Sequence, residues 1–262
     1  MDPEERMRVR PLQGMSVLVT GGGSGIGEGV ARHFCAGGAR VTISGRRAGK
    51  VDEVAASIGD ACNAVVGDVT IADDRSAMVD AAIAHGAGRL DVLVNNAGNM
   101  YRGALSELEE QQLFDVFHSN VIGAMMLTQA ALDALKVSRG AVVFVGSVHS
   151  QRAFPGASPY AATKGAVETL TGVLAAELGP QGVRVSCIRP GGVFTEINQR
   201  AGLFDDETAL QRLESLAPAH ALGRLGTVSE IAEGVEYLAR AEWTTGNVLT
   251  VDGGLGLGVT NA

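Results

Sequence analysis

Short apolar runs alternate with stretches of helical spacing along most of the chain. The first run, Val17-Leu18-Val19-Thr20, reads as a buried strand. Gly21-Gly22-Gly23-Ser24-Gly25-Ile26-Gly27 follows it, and Ile26, Val30 and Phe34 then recur on one helix face, which predicts strand, glycine turn, helix. The alternation continues with a strand at 40–44, a helix around 51–58, and a strand at 64–69 that carries Asp68 at its end. Met78, Ala82 and His85 mark the next helix, and the run from Leu90 predicts a strand ending in Asn95-Asn96-Ala97-Gly98. Residues 107–135 form the longest helical stretch, with Leu113, Phe117, Val121 and Met125 on one stripe and Asn120 interrupting it. Strands at 141–145, 183–188 and 247–251 and helices at 160–178 and 229–238 complete the pattern; Thr227 and Glu230 form a capping box before the last helix. Strands alternating with helices imply right-handed parallel crossovers, hence a doubly wound α/β sheet with helices on both faces. The polar strand ends would converge on one rim.

No repeat or linker interrupts the pattern, so residues 14–262 are expected to form a single domain behind a flexible tail at 1–13. Within it, 194–226 has mixed periodicity, with Ile197, Leu203, Phe204, Leu213 and Leu216 among charges. It is expected to be a substrate lid, the alternative being a pair of surface helices.

With 46% hydrophobic residues the 262-residue chain can bury a large core, and a net charge of −8 with scattered basic residues argues against a nucleic-acid partner. Cys35, Cys62 and Cys187 lack metal-ligand or pairing spacing, as free thiols in a reducing, cytoplasmic setting would. No membrane span or signal peptide is expected. His33, His85, His118, His149 and His220 have no ligand spacing, so no metal is expected, and there is no G-x-S-x-G elbow for a serine hydrolase.

The glycine turn is the first candidate for chemistry. Between a strand and a helix, such a turn lets backbone N–H groups approach a pyrophosphate at the helix N-terminus. The second strand ends at Gly45-Arg46-Arg47. NAD sites place a carboxylate near this point to hold the ribose 2′-hydroxyl, whereas NADP sites supply arginine. Two guanidiniums with no carboxylate beside them suit a 2′-phosphate.

The second candidate is the stretch from Ser147 to Lys164. Ser147 ends a buried strand, where ligands of open α/β sheets bind. Tyr160 and Lys164 stand four apart on one helix face. A free phenol titrates near pH 10, and a cation beside it favours the phenolate, bringing the hydroxyl closer to general acid/base work at neutral pH. Taken alone, the pair would be an ordinary helix pair. Asn120, a mediocre helix former in mid-helix, could be solvated or could hold a water with its side chain.

Taken together these motifs resemble the short-chain dehydrogenase/reductase family from about 14 to 254: Thr20-Gly21-x-x-x-Gly25-x-Gly27, Asp68, Asn95-Asn96-Ala97-Gly98, Asn120, Ser147, Tyr160 with Lys164, and Pro190-Gly191-x-Val193-x-Thr195. The resemblance implies a seven-stranded Rossmann-type sheet and a catalytic tetrad of Asn120, Ser147, Tyr160 and Lys164. Tyrosine would exchange the alcohol proton while hydride passes to or from a nicotinamide. Serine would steady the substrate oxygen, lysine would bind the ribose, and asparagine would hold a relay water. It also implies cofactor contacts at Gly21, Ser24, Gly25, Ile26 and Gly27, Arg46 and Arg47, Asp68 and Val69, Asn95, Ala97 and Gly98, Tyr160 and Lys164, and Pro190, Gly191, Val193 and Thr195. Gly146 departs from a serine common in relatives, a change expected to affect packing only. No basic residue lies inside the glycine turn, so the NADP(H) preference rests on Arg46 and Arg47, with NAD(H) possible.

The expected reaction interconverts a secondary alcohol and a ketone. Ser147, His149, Phe154, Tyr160 and Phe194 are expected at the substrate, with Met100, Tyr101, Gln151 and Ile197 nearby, a set that suits a medium-sized and fairly apolar carbonyl compound. His149 reads as pocket wall. A 3-oxoacyl-thioester reductase, with Arg102 and Arg152 meeting an acidic carrier, is one alternative, and an NAD-preferring alcohol dehydrogenase is another. A non-catalytic nucleotide-binding regulator is a third, of a different class. Surplus apolar surface on the helices at 107–135 and 160–178 points to a homotetramer or homodimer.

Overall fold

Val17 and Val19 turn to one face of the first strand and Leu18 to the other, and all three are fully buried. That is the signature of a strand covered on both sides. The computed structural model describes residues 10–195, 208, 211 and 214–258. Seven strands, β1 (Ser16–Thr20), β2 (Arg40–Gly45), β3 (Cys62–Val66), β4 (Val92–Asn95), β5 (Ala141–Val145), β6 (Arg184–Pro190) and β7 (Val248–Val251), form one all-parallel sheet in the order β3-β2-β1-β4-β5-β6-β7. Helices α1 (Gly25–Ala36), α2 (Ala48–Ile58), α3 (Ala72–His85), α4 (Glu110–Phe117), α5 (Gly123–Ser138), α6 (Ser158–Leu178) and α7 (Val228–Arg240) connect them.

Two apolar layers result. Val30, Phe34, Val51, Ile231, Val235 and Leu238, from α1, α2 and α7, pack on Val17, Val19, Val41, Ile43 and Val143. On the other face Met78, Leu127, Leu135, Val167 and Leu178, from α3, α5 and α6, pack on Leu18, Leu93, Val142, Phe144 and Val185. Burying each such side chain contributes about 1.5–3 kcal/mol. The chain runs outward from β1 to β3, then crosses back to β4 and continues the other way. The reversal opens a crevice between the carboxyl ends of β1 and β4, where ligands of doubly wound sheets bind.

Three expectations need correction. The third strand starts earlier and ends at Val66, because turn chemistry takes the chain out of the sheet: Asp74 accepts from the Asp68 N–H at 2.7 Å, and Asp68 accepts from Thr70 N–H at 2.9 Å. The long helix is two helices joined by a π turn, His118–Ile122, in which the Gly123 N–H reaches the His118 carbonyl. The extra residue rotates the inward stripe. Val116, Asn120, Ala124, Leu127 and Ala131 are buried, whereas Met125 is exposed. Residues 10–13 are tied down rather than loose: Arg10 pairs with buried Asp91 at 2.6 Å, Arg240 Nε donates to the Arg10 carbonyl at 2.6 Å, and Leu12 packs on the core. Residues 1–9 of the expected tail, and Ile197, Leu203, Phe204 and Leu213 of the expected lid, lie outside the described residues.

The capping box at α7 forms as expected. Thr227 Oγ1 accepts from Glu230 N–H at 3.2 Å and Glu230 Oε2 from Thr227 N–H at 2.9 Å.

Candidate active site

Thr20, the last residue of β1, ties the two halves of the sheet together. Its Oγ1 accepts the N–H groups of Asn96 at 3.1 Å and Ala97 at 2.9 Å, and Asn96 Nδ2 returns bonds to the carbonyls of Thr20 and Gly21 at 2.8 and 3.2 Å. Gly21 takes φ of +67°, a region that L side chains avoid. Gly27 is required by proximity instead: a Cβ there would lie 2.4 Å from the Gly21 carbonyl oxygen. Ser24, which precedes α1, makes no side-chain cap. Its Oγ instead accepts from Arg47 Nη2 at 3.0 Å. The α1 N-terminus therefore presents uncapped N–H groups behind a glycine-rich turn, a cradle that fits a pyrophosphate.

Beside the turn, a recess of about 110 Å³ is lined by Gly23, Ser24, Arg46, Arg47, Asp68 and Val69, together with Lys50 from the first turn of α2. Arg46 donates to Asn99 Oδ1 at 3.2 Å and lies 3.6 Å from Asp68 Oδ2. The folded chain thus puts beside Arg46 a carboxylate from the turn after β3, so the expectation of no carboxylate there is corrected. Burial raises the pKa of Asp68, but the Thr70 hydrogen bonds and the charges of Arg46 and His118 outweigh it and hold the carboxyl below its usual range.

The crevice continues into a cleft of about 370 Å³ at the ends of β5 and β6. Its walls include Met100, Arg102, Val148, Phe154, Leu216 and Leu255. At its floor Ser147, Tyr160 and Lys164 come together, exposed by only 8%, 6% and 6%. Lys164 Nζ donates to the Val145 carbonyl at 2.7 Å and stands 5.4 Å from the centre of the Tyr160 ring. The Tyr160 hydroxyl makes no hydrogen bond to the described residues. Ser147 Oγ accepts from the His149 N–H at 3.3 Å and lies 3.1 Å from His149 Nδ1. His149 stacks on Phe154 at 4.4 Å and meets Tyr160 edge-on at 5.3 Å between centroids. Burial first, then the charges of Arg102 and Lys164, depress its pKa to about 4.

Asn120 sits on the π turn behind this floor. Its Oδ1 accepts from Asn99 N–H at 2.7 Å and Ser119 Oγ at 3.0 Å, while its Nδ2 donates to the Asn99 carbonyl at 2.9 Å and Thr163 Oγ1 at 3.0 Å. These bonds fasten the loop after β4 to α6.

A second brace was not anticipated. Glu168, one turn after Lys164, receives Arg189 Nε at 2.9 Å and Nη2 at 2.7 Å, and Ser150 Oγ at 2.5 Å. It joins α6 to the turn after Ser147 and to the end of β6. Gly146 makes room for it, since a Cβ there would lie 3.2 Å from Glu168 Oε1 and 2.8 Å from Cys187 Sγ. Likewise buried His220 accepts the Gly192 N–H on Nε2 at 3.2 Å and bonds the Leu216 carbonyl through Nδ1 at 2.8 Å, holding the chain after Gly191.

Gly21, Ser24, Gly25, Ile26, Ala97, Gly98, Pro190, Gly191, Val193 and Thr195 all line the cleft, as do Ser147, His149, Phe154, Tyr160 and Lys164. Asn95 does not: its side chain points under the sheet end to Thr128 Oγ1 at 3.0 Å, and its neighbour Asn96 takes the rim. Gly27 acts by its lack of bulk. Phe194 is half-exposed and outside the lining, because Val193 and Thr195 on either side of it face inward. Tyr101 and Gln151 are also outside it; Tyr101 binds Glu109 N–H at 2.8 Å and Gln151 binds Arg189 at 3.0 Å. Lys50, three residues beyond Arg47, was the legible signal missed.

The short chain dehydrogenase family profile matches residues 15–205. The L-fucose dehydrogenase of Bos taurus is 38% identical over 248 residues, covering 94% of this chain and 90% of that protein. The 3-ketoacyl-(acyl-carrier-protein) reductase of Brucella melitensis, solved with NADH, superposes with a TM-score of 0.84 at 33% identity, over 94% of this chain and 99% of that one. A gluconate 5-dehydrogenase from Burkholderia cenocepacia, solved with NADP and tartrate, gives 0.84 at 33% identity, over 95% and 98%.

Proposed function

Because this chain belongs to the short-chain dehydrogenase/reductase family of NAD(P)-dependent oxidoreductases acting on CH–OH groups, we propose that it interconverts a secondary alcohol and a ketone with a preference for NADP(H). One observation carries the reading: Ser147, Tyr160 and Lys164 meet at the floor of a cleft that begins at the glycine turn. Arg46, Arg47 and Lys50 account for the preference, since three cations at the recess suit a 2′-phosphate.

The turn residues and the α1 N-terminus would hold the pyrophosphate, and Val193 and Thr195 would hold the nicotinamide end. When bound, the dinucleotide supplies or accepts the hydride. Ser147 donates a hydrogen bond to the substrate oxygen. Tyr160 gives that oxygen a proton in reduction and takes it back in oxidation. Lys164, anchored on Val145, keeps two N–H donors for the nicotinamide ribose and sets a positive charge beside the phenol ring. Asn120 and Glu168 keep these elements in register.

Met100, Phe154, Leu216 and Leu255 line the cleft together with Ser147, His149 and Tyr160, which suits a medium-sized carbonyl compound with apolar and polar parts. A carrier-bound 3-oxoacyl thioester is disfavoured by Arg152, which is drawn inward to the Leu255 carbonyl at 2.7 Å. The protein acts on a small molecule, without nucleic acid or membrane. The helical segment Glu110–Ser138 is apolar enough in composition to span a bilayer, yet Leu127, Ala131 and Leu135 bury one side of it against the sheet. Its outer side, with Phe114, Ile122, Met125 and Met126 exposed, suits a homotetramer or homodimer. The test is NADPH oxidation across a panel of ketones. Stoichiometric NADPH binding with no turnover on any member would favour a nucleotide-binding regulator instead.

A further inference from the structure

We infer that His149 both fixes the Ser147 hydroxyl as a hydrogen donor and accepts, on its other ring nitrogen, a second hydroxyl of the substrate, so that the preferred substrate is an α-hydroxy ketone or the corresponding vicinal diol. The inference rests on the oxidoreductase reading above and names its substrate class. Ser147 Oγ has one hydrogen and two lone pairs. The His149 backbone N–H, 3.3 Å away, occupies one lone pair, and the ring Nδ1 stands 3.1 Å from the same oxygen. Were Nδ1 bare, the only hydrogen of Ser147 would be committed to it and none would be left for a substrate oxygen. With the proton on Nδ1, His149 fills both lone pairs, and the serine hydrogen turns to the cleft.

That tautomer leaves Nε2 as a bare acceptor, since burial and the charges of Arg102 and Lys164 keep the ring neutral. Nε2 makes no hydrogen bond to the described residues, nor is it sealed away from the cleft that the ring lines. Phe154 on the ring face and Tyr160 at its edge hold the imidazole in place. A fixed acceptor next to the residues that meet the reacting oxygen calls for a donor on the adjoining carbon. A hydroxyl there is such a donor.

Two substitutions separate the two nitrogens: the amide of His149→Asn stands near the place of Nδ1, and that of His149→Gln near the place of Nε2. The unmodified enzyme with NADPH should favour 3-hydroxybutan-2-one over butan-2-one by at least about tenfold in kcat/KM, since an analogue lacking the hydroxyl leaves a buried acceptor unpaired. In His149→Asn the loss should fall on the KM of the hydroxy ketone, erasing the preference. In His149→Gln it should fall on kcat for both ketones, as Ser147 loses its orientation. Nitrogen-15 spectra of histidine-labelled enzyme should show His149 protonated on Nδ1. No preference in the unmodified enzyme, or a preference surviving in His149→Asn, overturns the inference while leaving the oxidoreductase reading intact. If neither ketone is reduced, that reading fails for such substrates, and the spectrum still decides: a proton on Nε2 refutes the assignment and one on Nδ1 supports it.

Discussion

Arg46→Asp tests the cofactor preference where the structure is most specific. The guanidinium stands 3.6 Å from Asp68 and 3.2 Å from Asn99, with 61% of its side chain exposed. A charge-assisted guanidinium–phosphate contact contributes about 1.5–3 kcal/mol, and exposure of this degree puts Arg46 at the lower end, about 1.5 kcal/mol or tenfold in affinity. The new carboxylate, next to that of Asp68, adds repulsion against a 2′-phosphate on the order of 1 kcal/mol. NADPH affinity should therefore fall by about 10- to 100-fold, while NADH, whose 2′-hydroxyl gains an acceptor, should hold or improve. Equilibrium titration by nicotinamide fluorescence at low and high salt measures both, and the salt sensitivity of NADPH binding should shrink in the variant. Tighter binding of NADH than NADPH by the unmodified protein, or an NADPH/NADH ratio moved by less than about threefold against that tenfold minimum, would refute the electrostatic reasoning.

Glu168→Ala breaks a largely buried pair with Arg189 and should cost about 3 kcal/mol in denaturant unfolding. It should also lower kcat, since Ser150 and the turn carrying Ser147 lose their tie; unchanged stability would show that the brace has no weight. His149 gives a pH prediction. The unfolded histidine titrates at 6.5 and the folded one at about 4, so between those values only the unfolded chain takes the proton. Its stabilising contribution is complete above pH 6.5, is lost as pH falls through that window, and levels off below 4, with a total of at most about 3 kcal/mol. The fall in Tm from pH 6.5 to 4 should be shallower in His149→Phe, and equal slopes would remove His149 as the cause. Light scattering at micromolar concentration should give a tetramer or dimer, and Phe114→Glu on the exposed stripe should shift it toward monomer; a monomeric mass for the unmodified chain contradicts the proposed assembly.

The doubly wound parallel class was legible because short, mostly apolar runs alternate with stretches of helical spacing, and such a sheet leaves few ways to connect them. Local pattern also located the glycine turn and the Tyr160–Lys164 pair. It failed where the deciding partner comes from elsewhere in the chain. Asp68 reaches Arg46 only once β2 and β3 pair, and the destination of Asn95 depends on Thr128 in α5. The bonds of Asn120 to Asn99 and Thr163 join segments 21 and 43 residues away, which no local pattern shows. The π turn shifted the buried stripe of the long helix by inserting a residue that periodicity cannot register. Gly146 stands out in the sequence as a change of packing, but Glu168, against which it packs, carries no signal of its own until the fold sets the two side by side.

The most direct test of the central claim is single-turnover hydride transfer in Tyr160→Phe, with NADPH binding measured on the same sample. Removing one hydroxyl that makes no hydrogen bond to the described residues should leave NADPH affinity within about threefold and slow transfer to a ketone by about 10²–10⁴-fold, the range of a lost general acid. Transfer within about tenfold of the unmodified rate, with NADPH still bound, would contradict the assignment of Tyr160 as the proton donor.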